Sequence, residues 1–311
     1  MRTIRNGLPS LRRLPPPTHP NKYEIRSISS HLCQLDPTPR PPIIWTYLKD
    51  FVRYQDGLEF QNSLVRHKID NPSAPDWLIL LQHHPVYTTG RRQQSDNQLE
   101  LERDRLSIVN PTADFYPTLR GGQTTFHGPG QLVAYPILNL SLMDLNTRMY
   151  VDFLMNLLRS ILVHPTLPRP IISLDPSENP DLPVGIFIGT QWCKIASVGI
   201  QVRRRITSHG FALNIEQECE RGFKDIVACG LQSTKLTSIQ SVLARSSSQT
   251  LINVTDLVKP TVDLFGKLSG KVMKEMNQDC RELDPIGYQL VDKFIHSQKK
   301  SPNTKLMSTH K

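Results

Sequence analysis

The order in which apolar periodicities occur along this chain narrows its fold more than any other feature. Leu48, Phe51, Tyr54, Leu58 and Val65 recur at three, four and seven residues, the spacing of one buried helical stripe, with Gly57 weakening it. Trp77 to Gln82 is a short continuous apolar run that stops at the His84-Pro85 step, which suits a buried strand. Tyr150, Phe153, Leu154, Leu157, Leu158, Ile161 and Leu162 form the clearest amphipathic helix, and Pro165, Pro168 and Pro170 forbid its continuation. Ile186 to Ile188, Ile195 to Val202 and Phe211 to Ile215 have strand character, and a last helix is expected near Asp256 to Met276, where Leu257, Phe265, Leu268 and Val272 share a face. Helices and strands that do not alternate strictly predict an α+β domain rather than a doubly wound one.

What lies between these patterns sets the domain limits. Residues 1–42 are rich in Pro and Ser with little periodicity, so they read as a leader and a linker, and the domain is expected over 43–295 with a basic, polar tail over 296–311. Residues 91–118 are polar, and 163–184 hold six prolines; both are expected as surface excursions. The net charge of +9 is uneven: Arg2, Arg5, Arg12, Arg13 and Lys22 precede the first acid, Glu24, which leaves +4 for the rest. The basic character therefore belongs to the N-terminus more than to a nucleic-acid-binding face. An acid-free, Arg-bearing start reads as a mitochondrial targeting segment. A disordered basic tail fits too, because Pro15, Pro16 and Pro17 would cut an amphipathic helix short.

No apolar run approaches the roughly 18–20 residues of a membrane span. Cys33, Cys193, Cys219, Cys229 and Cys280 are odd in number, irregular in spacing and without a C-x-x-C pair, which argues against a disulfide framework or a structural zinc site. Free thiols in a reducing compartment are the simpler expectation. No metal ligand set and no cofactor motif is evident.

Three segments have the residue types for chemistry. Arg120-Gly121-Gly122-Gln123-Thr124-Thr125-Phe126-His127-Gly128-Pro129-Gly130-Gln131 packs four glycines, an Arg and a His into twelve residues. Glycines let a backbone bend sharply or approach a ligand, but the spacing is neither a phosphate loop nor G-x-G-x-x-G, so a tight turn and a binding loop fit equally. The second segment runs from Lys194 through Ser197, Val198 and Gly199 to Thr207-Ser208-His209-Gly210-Phe211-Ala212. Lys194 at the edge of an apolar strand either snorkels to water or is held in a pocket, and His209 before a glycine is most simply a turn residue. The third, Ile226-Val227-Ala228-Cys229-Gly230, sets a cysteine beside glycine at the end of an apolar run, which suits either a thiolate held by backbone amides or an inert buried thiol.

Taken in order, RGGQTTFHGPGQLVAYPILNL, KIASVGIQVRRRITSHGFALNI and ACGLQSTKLTSI resemble the three signature blocks of the lipoyl(octanoyl) transferase family, and HHPVYTTGRR resembles a fourth. The resemblance spans roughly residues 45–245. It implies a mixed β-sheet core flanked by helices, like the biotin and lipoate protein ligase catalytic domain. It also implies that Cys229 bears the acyl group as a thioester and that Lys194 perturbs its ionisation and moves a proton. Arg120, Gly121, Gly122, Gln123, Thr124, Thr125, Phe126 and His127, with Ser197, Val198, Gly199, Gly210, Phe211 and Ala212, would line the acyl pocket. His84 stands where the family usually has proline, and the two excursions look extended, which bears on the pocket mouth.

The implied reaction moves an octanoyl or lipoyl group from acyl carrier protein to a lysine of the lipoyl domains of 2-oxoacid dehydrogenases or of the glycine cleavage H protein. It needs no cofactor and would take place in the mitochondrial matrix. Arg203, Arg204 and Arg205, or Arg91 and Arg92, would steer such acidic partners or form a solvated strand edge. An ATP-dependent lipoate or biotin ligase is the alternative within enzymes, though it has no need of a nucleophilic cysteine. A non-catalytic acyl-carrier binding module is the alternative outside them.

Overall fold

The computed structural model describes residues 41–91, 96–175, 177–178, 182–226, 235–245 and 251–300. The expected leader up to residue 40, the expected tail beyond Lys300 and Cys229 itself lie outside the described residues.

The main sheet runs in the order β10 (Met273–Glu275), β1 (Ile43–Tyr47), β2 (Asp76–Leu81), β6 (Gln131–Ile137), β9 (Ile206–Asn214), β8 (Cys193–Arg203) and β7 (Ile186–Ile188). β1 is parallel to both β10 and β2, and every other neighbouring pair is antiparallel. A second, smaller sheet has the order β4 (Asp114–Pro117), β3 (Val86–Thr89) and β5 (Thr125–His127). The sheets are mixed and the helices do not alternate with the strands, so the fold is α+β as expected from the periodicities.

Both faces of the main sheet are covered, which is why β2 and β6 read as continuous apolar runs rather than alternating ones. Trp77, Ile79 and Leu81 of β2 join Val133, Tyr135 and Ile137 of β6 in a core with Phe60 and Leu64 of α1 (Tyr54–Asp70). The residues between them, such as Leu78, Leu80 and Leu132, point the other way and are equally buried. Helix α3 (Thr147–Leu162) and α6 (Val254–Ser269), which follows the short α4 (Glu220–Phe223) and α5 (Ile239–Ala244), meet through Phe153 and Phe265, whose rings are 5.1 Å apart and edge-on. Phe153, Leu154, Leu157, Leu158 and Ile161 are at most 1% exposed, and at about 1.5–3 kcal/mol for each large side chain this burial outweighs any helix propensity. Asn146 starts α3 by accepting the backbone N–H of Met149 at 2.9 Å.

Four expectations are corrected. Helix α1 begins at Tyr54, so Leu48 and Phe51 belong to the preceding connection, where Val52 bridges to His83. The polar stretch 91–118 is not all loop: it holds α2 (Asp96–Val109) and β4, and the helix needs little amphipathicity because Leu106 is its one fully buried hydrophobic residue. The helix expected up to Met276 stops at Ser269, because Gly270 takes the left-handed conformation at φ 65° and turns the chain into β10. Beyond it, α7 (Cys280–Leu283) and α8 (Pro285–Lys300) pack Val291 and Phe294 onto the core, so helix continues past Ile295.

The C-terminal segment is tied down by buried charge. Asp76 lies between Lys68 of α1 (3.0 Å) and Lys271 (2.5 Å), and it also accepts the N–H of Asn139 at 3.0 Å. Asp284 holds Trp77 Nε1 at 2.8 Å, His67 at 2.7 Å and the N–H of Gly287 at 3.0 Å. Asp76→Ala strands two buried ammonium groups, so urea unfolding should show a loss of about 3–5 kcal/mol. A loss below about 1 kcal/mol would mean that the two lysines do not depend on this carboxylate.

Candidate active site

The site originates in a row of missing side chains. In the β8–β9 pairing, Ser197 faces Ala212 and Gly199 faces Gly210, and Ala212 faces Val133 on β6. Small residues at four adjoining positions leave a trough where cross-strand neighbours would normally fill the space. Gly210 is required besides by close packing, since a Cβ there would stand 2.3 Å from the Ala134 carbonyl oxygen and 2.6 Å from Pro136 Cδ. Val133 and Tyr135 stand along the trough from β6.

The glycine segment lies over this trough. Gly121 N–H donates to the Ile200 carbonyl at 3.0 Å, and a Cβ on Gly199 would come within 3.1 Å of the Gly121 oxygen. Gly90, just past β3, supports it, since a Cβ there would be only 2.2 Å from the Gly122 oxygen. Arg120 holds the turn shut from within: its guanidinium donates to Thr88 O and Oγ1 (2.8 Å each) and to the carbonyls of Gln123 and Gly121 (3.0 Å each). The segment is thus a turn that also borders the cavity, with its one arginine bound both to its own carbonyls and to Thr88 of β3. Trough and cover enclose a mostly apolar cavity of about 400 Å³, within the usual range for small-ligand sites.

Arg120, Gly121, Gly122, Gln123, Thr124, Thr125 and His127 all border this cavity, as do Lys194, Ser197, Val198, Gly199, Gly210, Phe211 and Ala212. Phe126 does not. Strand alternation on β5 turns its ring away from Thr125 and His127, against Tyr87 (5.2 Å) and Phe223 (5.6 Å). Gly222 makes room for it, since a Cβ there would lie 2.4 Å from the ring.

Lys194 is 3% exposed, so it is held in a pocket rather than snorkelling. A one-residue register shift in the β7–β8 pairing beside it breaks strict alternation, and Lys194 borders the same cavity as Ser197 and Gly199. Its stem packs on Gly185, where φ is +147° and a Cβ would stand 2.5 Å from Lys194 Cε. The ammonium donates to the Val184 carbonyl at 3.3 Å and lies 5.5 Å over the Phe187 ring. Its backbone is bound too: Lys194 N–H donates to Lys235 O at 2.8 Å, and Thr237 N–H donates to Lys194 O at 3.0 Å. The chain that follows residues 227–234 is therefore laid against the lysine.

Sequence reasoning did not single out Tyr54, Tyr135 or His83 as site residues, although Tyr135 and His83 lie inside the quoted signature strings and Tyr54 in the first helical stripe, and it treated His209 only as a turn residue. His209 sits inside β9 at φ 56°, with its N–H on Gln61 Oε1 at 2.8 Å, and it borders the cavity. His83 Nδ1 lies 2.8 Å from the Val52 carbonyl, which can only accept, so Nδ1 bears the proton and Nε2 accepts the Tyr135 hydroxyl at 2.6 Å. The same logic runs through Asn214, whose Nδ2 donates to the Thr237 carbonyl at 3.1 Å. Its Oδ1 then accepts Gln131 Nε2 at 2.9 Å, which leaves Gln131 Oε1 to accept the proton on His127 Nδ1 at 2.7 Å. Among the described residues, no cluster of three or more His, Cys, Asp or Glu side chains is arranged to hold a metal ion.

Burial holds these imidazoles neutral, lowering His83 to about 4, His127 to about 3 and His209 to about 3; His83 adds to the effect on His127, and Arg120 to that on His209. Burial likewise pushes Tyr54 up to about 12. With its imidazoles neutral, the mostly apolar wall has only the Arg120 and Lys194 cations as bordering charges among the described residues, which suits a neutral, elongated ligand.

The three histidines make stability depend on pH. Their folded values lie below the 6.5 of a free imidazole, so the unfolded chain binds the extra protons. Their contribution is complete above pH 6.5 and is lost as pH falls toward 4 and 3, at up to about 1.4 kcal/mol per pH unit for each ring. His209→Asn, which tolerates the positive φ, should flatten the slope of unfolding free energy between about pH 6 and 4 by up to that amount. An unchanged slope in urea titrations would contradict the neutral burial of His209.

Residues 53–265 match the lipoyl protein ligase A/B catalytic domain family. An octanoyltransferase of Caldicellulosiruptor saccharolyticus is 30% identical over 75% of this chain and 92% of its own length. The mitochondrial octanoyl-[acyl-carrier-protein]:protein N-octanoyltransferase of Danio rerio is 37% identical over 62% of this chain and 80% of its own. Among solved structures, lipoate-protein ligase A bound with ATP has a TM-score of 0.55 at 12% identity, covering 82% of this chain and 95% of that one. The bipartite lipoate protein ligase of Thermoplasma acidophilum has a TM-score of 0.53 at 10% identity, covering 82% and 93%. The structural likeness establishes the fold alone, whereas the sequence match spans most of the domain, and the chain belongs to the lipoyl protein ligase A/B catalytic domain family.

Proposed function

We propose that the chain is an octanoyltransferase that takes an octanoyl group from acyl carrier protein, holds it as a thioester on Cys229 and passes it to a lysine of a lipoyl domain. The observation that carries this reading is the burial of Lys194 beside an apolar cavity, with the segment just after Cys229 hydrogen-bonded to the backbone of that lysine. The octanoyltransferase relatives favour transfer over ATP-dependent ligation. The acyl chain would lie in the trough of Ser197, Gly199, Gly210 and Ala212 under the Arg120 to Thr125 cover.

Thioester exchange onto a cysteine leaves the acyl group in a bond of the same kind, so the enzyme supplies a thiolate and a geometry rather than energy. A reference thiol near 8.5 is about a quarter ionised at pH about 8, and lowering it by one unit gains only about threefold. Lys194 therefore matters more for proton movement, since the acceptor lysine arrives as an ammonium and must lose a proton before it attacks.

The acid-free leader and the mitochondrial relative of Danio rerio support a matrix location, although bacterial relatives also match. Arg203 and Arg204, exposed at the β8–β9 turn, suit an acidic donor or acceptor protein. No helix among the described residues is long and apolar enough to cross a membrane.

Intact mass after mixing with octanoyl-acyl carrier protein tests the reading. One added octanoyl unit, removed by hydroxylamine and missing in Cys229→Ser, is the expected outcome. No adduct on folded protein, together with ATP binding by calorimetry, would favour a ligase. Lys194→Ala should slow transfer to the acceptor lysine at least tenfold more than it slows acyl loading. Equal losses in both half-reactions would remove the assigned role of Lys194.

A further inference from the structure

We infer that Tyr135 is the wall that sets how long an acyl chain this cavity accepts, an inference that rests on the acyl-cavity reading above. The strand register orders the trough from one end to the other. Gln131 faces Asn214 at the Lys194 end; Val133, Ala212 and Ser197 form the next row on that face; Gly210 and Gly199 form the one after. From Lys194 to Gly199 is five residues of extended strand, about 16 Å at roughly 3.3 Å each. Beside that last glycine pair stands Tyr135: a Cβ on Gly210 would touch Ala134 O and Pro136 Cδ, the residues on either side of it. His209 closes against the same ring, edge-on at 6.4 Å.

Tyr135 is also unable to step aside. It is 3% exposed, and its hydroxyl donates to His83 Nε2 at 2.6 Å while His83 Nδ1 donates to the Val52 carbonyl at 2.8 Å. His83 fits only because α1 has Gly57 at this point, where a Cβ would press on the imidazole Cε1 at 3.1 Å. A ring fixed at its far end by a buried, doubly hydrogen-bonded histidine is a rigid stop, whereas the two glycines before it impose no limit of their own. Chain length is then decided where glycine gives way to tyrosine.

The test uses the full chain with hexanoyl-, octanoyl-, decanoyl- and dodecanoyl-acyl carrier protein in pairwise competition, reading acyl-enzyme by intact mass. Tyr135→Ala should raise the decanoyl-to-octanoyl ratio at least about tenfold, the scale on which an apolar pocket discriminates one or two methylenes. Tyr135→Phe, which retains the ring and loses only its bond to His83, should shift the ratio less than about threefold. Ala212→Val, one row nearer Lys194, should move preference toward hexanoyl by about tenfold, and it keeps the proposal testable if Tyr135→Ala does not fold. If the parent loads octanoyl and the folded variants leave every ratio unchanged, the wall is overturned while the acyl cavity stands. If the parent loads no chain of any length, both readings fall.

Discussion

The absence of side chains at Gly199 and Gly210, facing one another across β8 and β9, is the constraint from which the site follows. An ordinary pair there would fill the space above the sheet. It would also drive the 120–124 cover away, because Gly121 hydrogen-bonds directly to β8 at Ile200 and its carbonyl lies where a Gly199 side chain would be. Once the cover can approach, Arg120 has carbonyls within reach on both sides of the turn and locks it to Thr88 of β3. The cavity is therefore shaped by backbone against backbone, and side chains come to it from neighbouring elements.

Those side chains place little charge in the cavity. His83, His127 and His209 are neutral because burial penalises their cations. Backbone carbonyls fix the tautomers of His83 and His127, directly for the first and through Asn214 and Gln131 for the second. Two cations border the cavity: the Lys194 ammonium, which donates to the Val184 carbonyl and lies over the Phe187 ring, and the Arg120 guanidinium, which is bound to the cover and to Thr88. A cation at the Lys194 end can act on the reacting end of a neutral ligand and leaves the remainder to apolar contact.

Charge of a different kind secures the β10–β1 edge of the sheet. Residues beyond the family match at 265 add β10 in parallel to β1 and pack α8 on α1, where Phe60 and Phe294 stack at 4.2 Å. Asp76 and Asp284 anchor this segment to β2 and α1, so it completes the core on which α1 rests. Because α1 contributes Tyr54 to the cavity, the C-terminal residues support the site without touching it.

The sequence by itself determined the elements whose signal is local: the unbroken apolar run of β2, the stripe of α3 and the glycine-dense segment that became the cover. The family signatures also drew attention to the right strands, though Phe126 inside them faces another core because alternation on β5, not motif membership, sets its direction. Tertiary structure alone decided the rest. The helix in 91–118 depends on one buried leucine, and the C-terminal strand and helices depend on partners some two hundred residues away, at His67, Asp76 and Trp77. The His83–Tyr135 pair, separated by 52 residues, has no spacing that a sequence could reveal. Periodicity is a property of consecutive residues, whereas a cavity arises from the register between strands, and register is fixed only when the whole sheet is assembled.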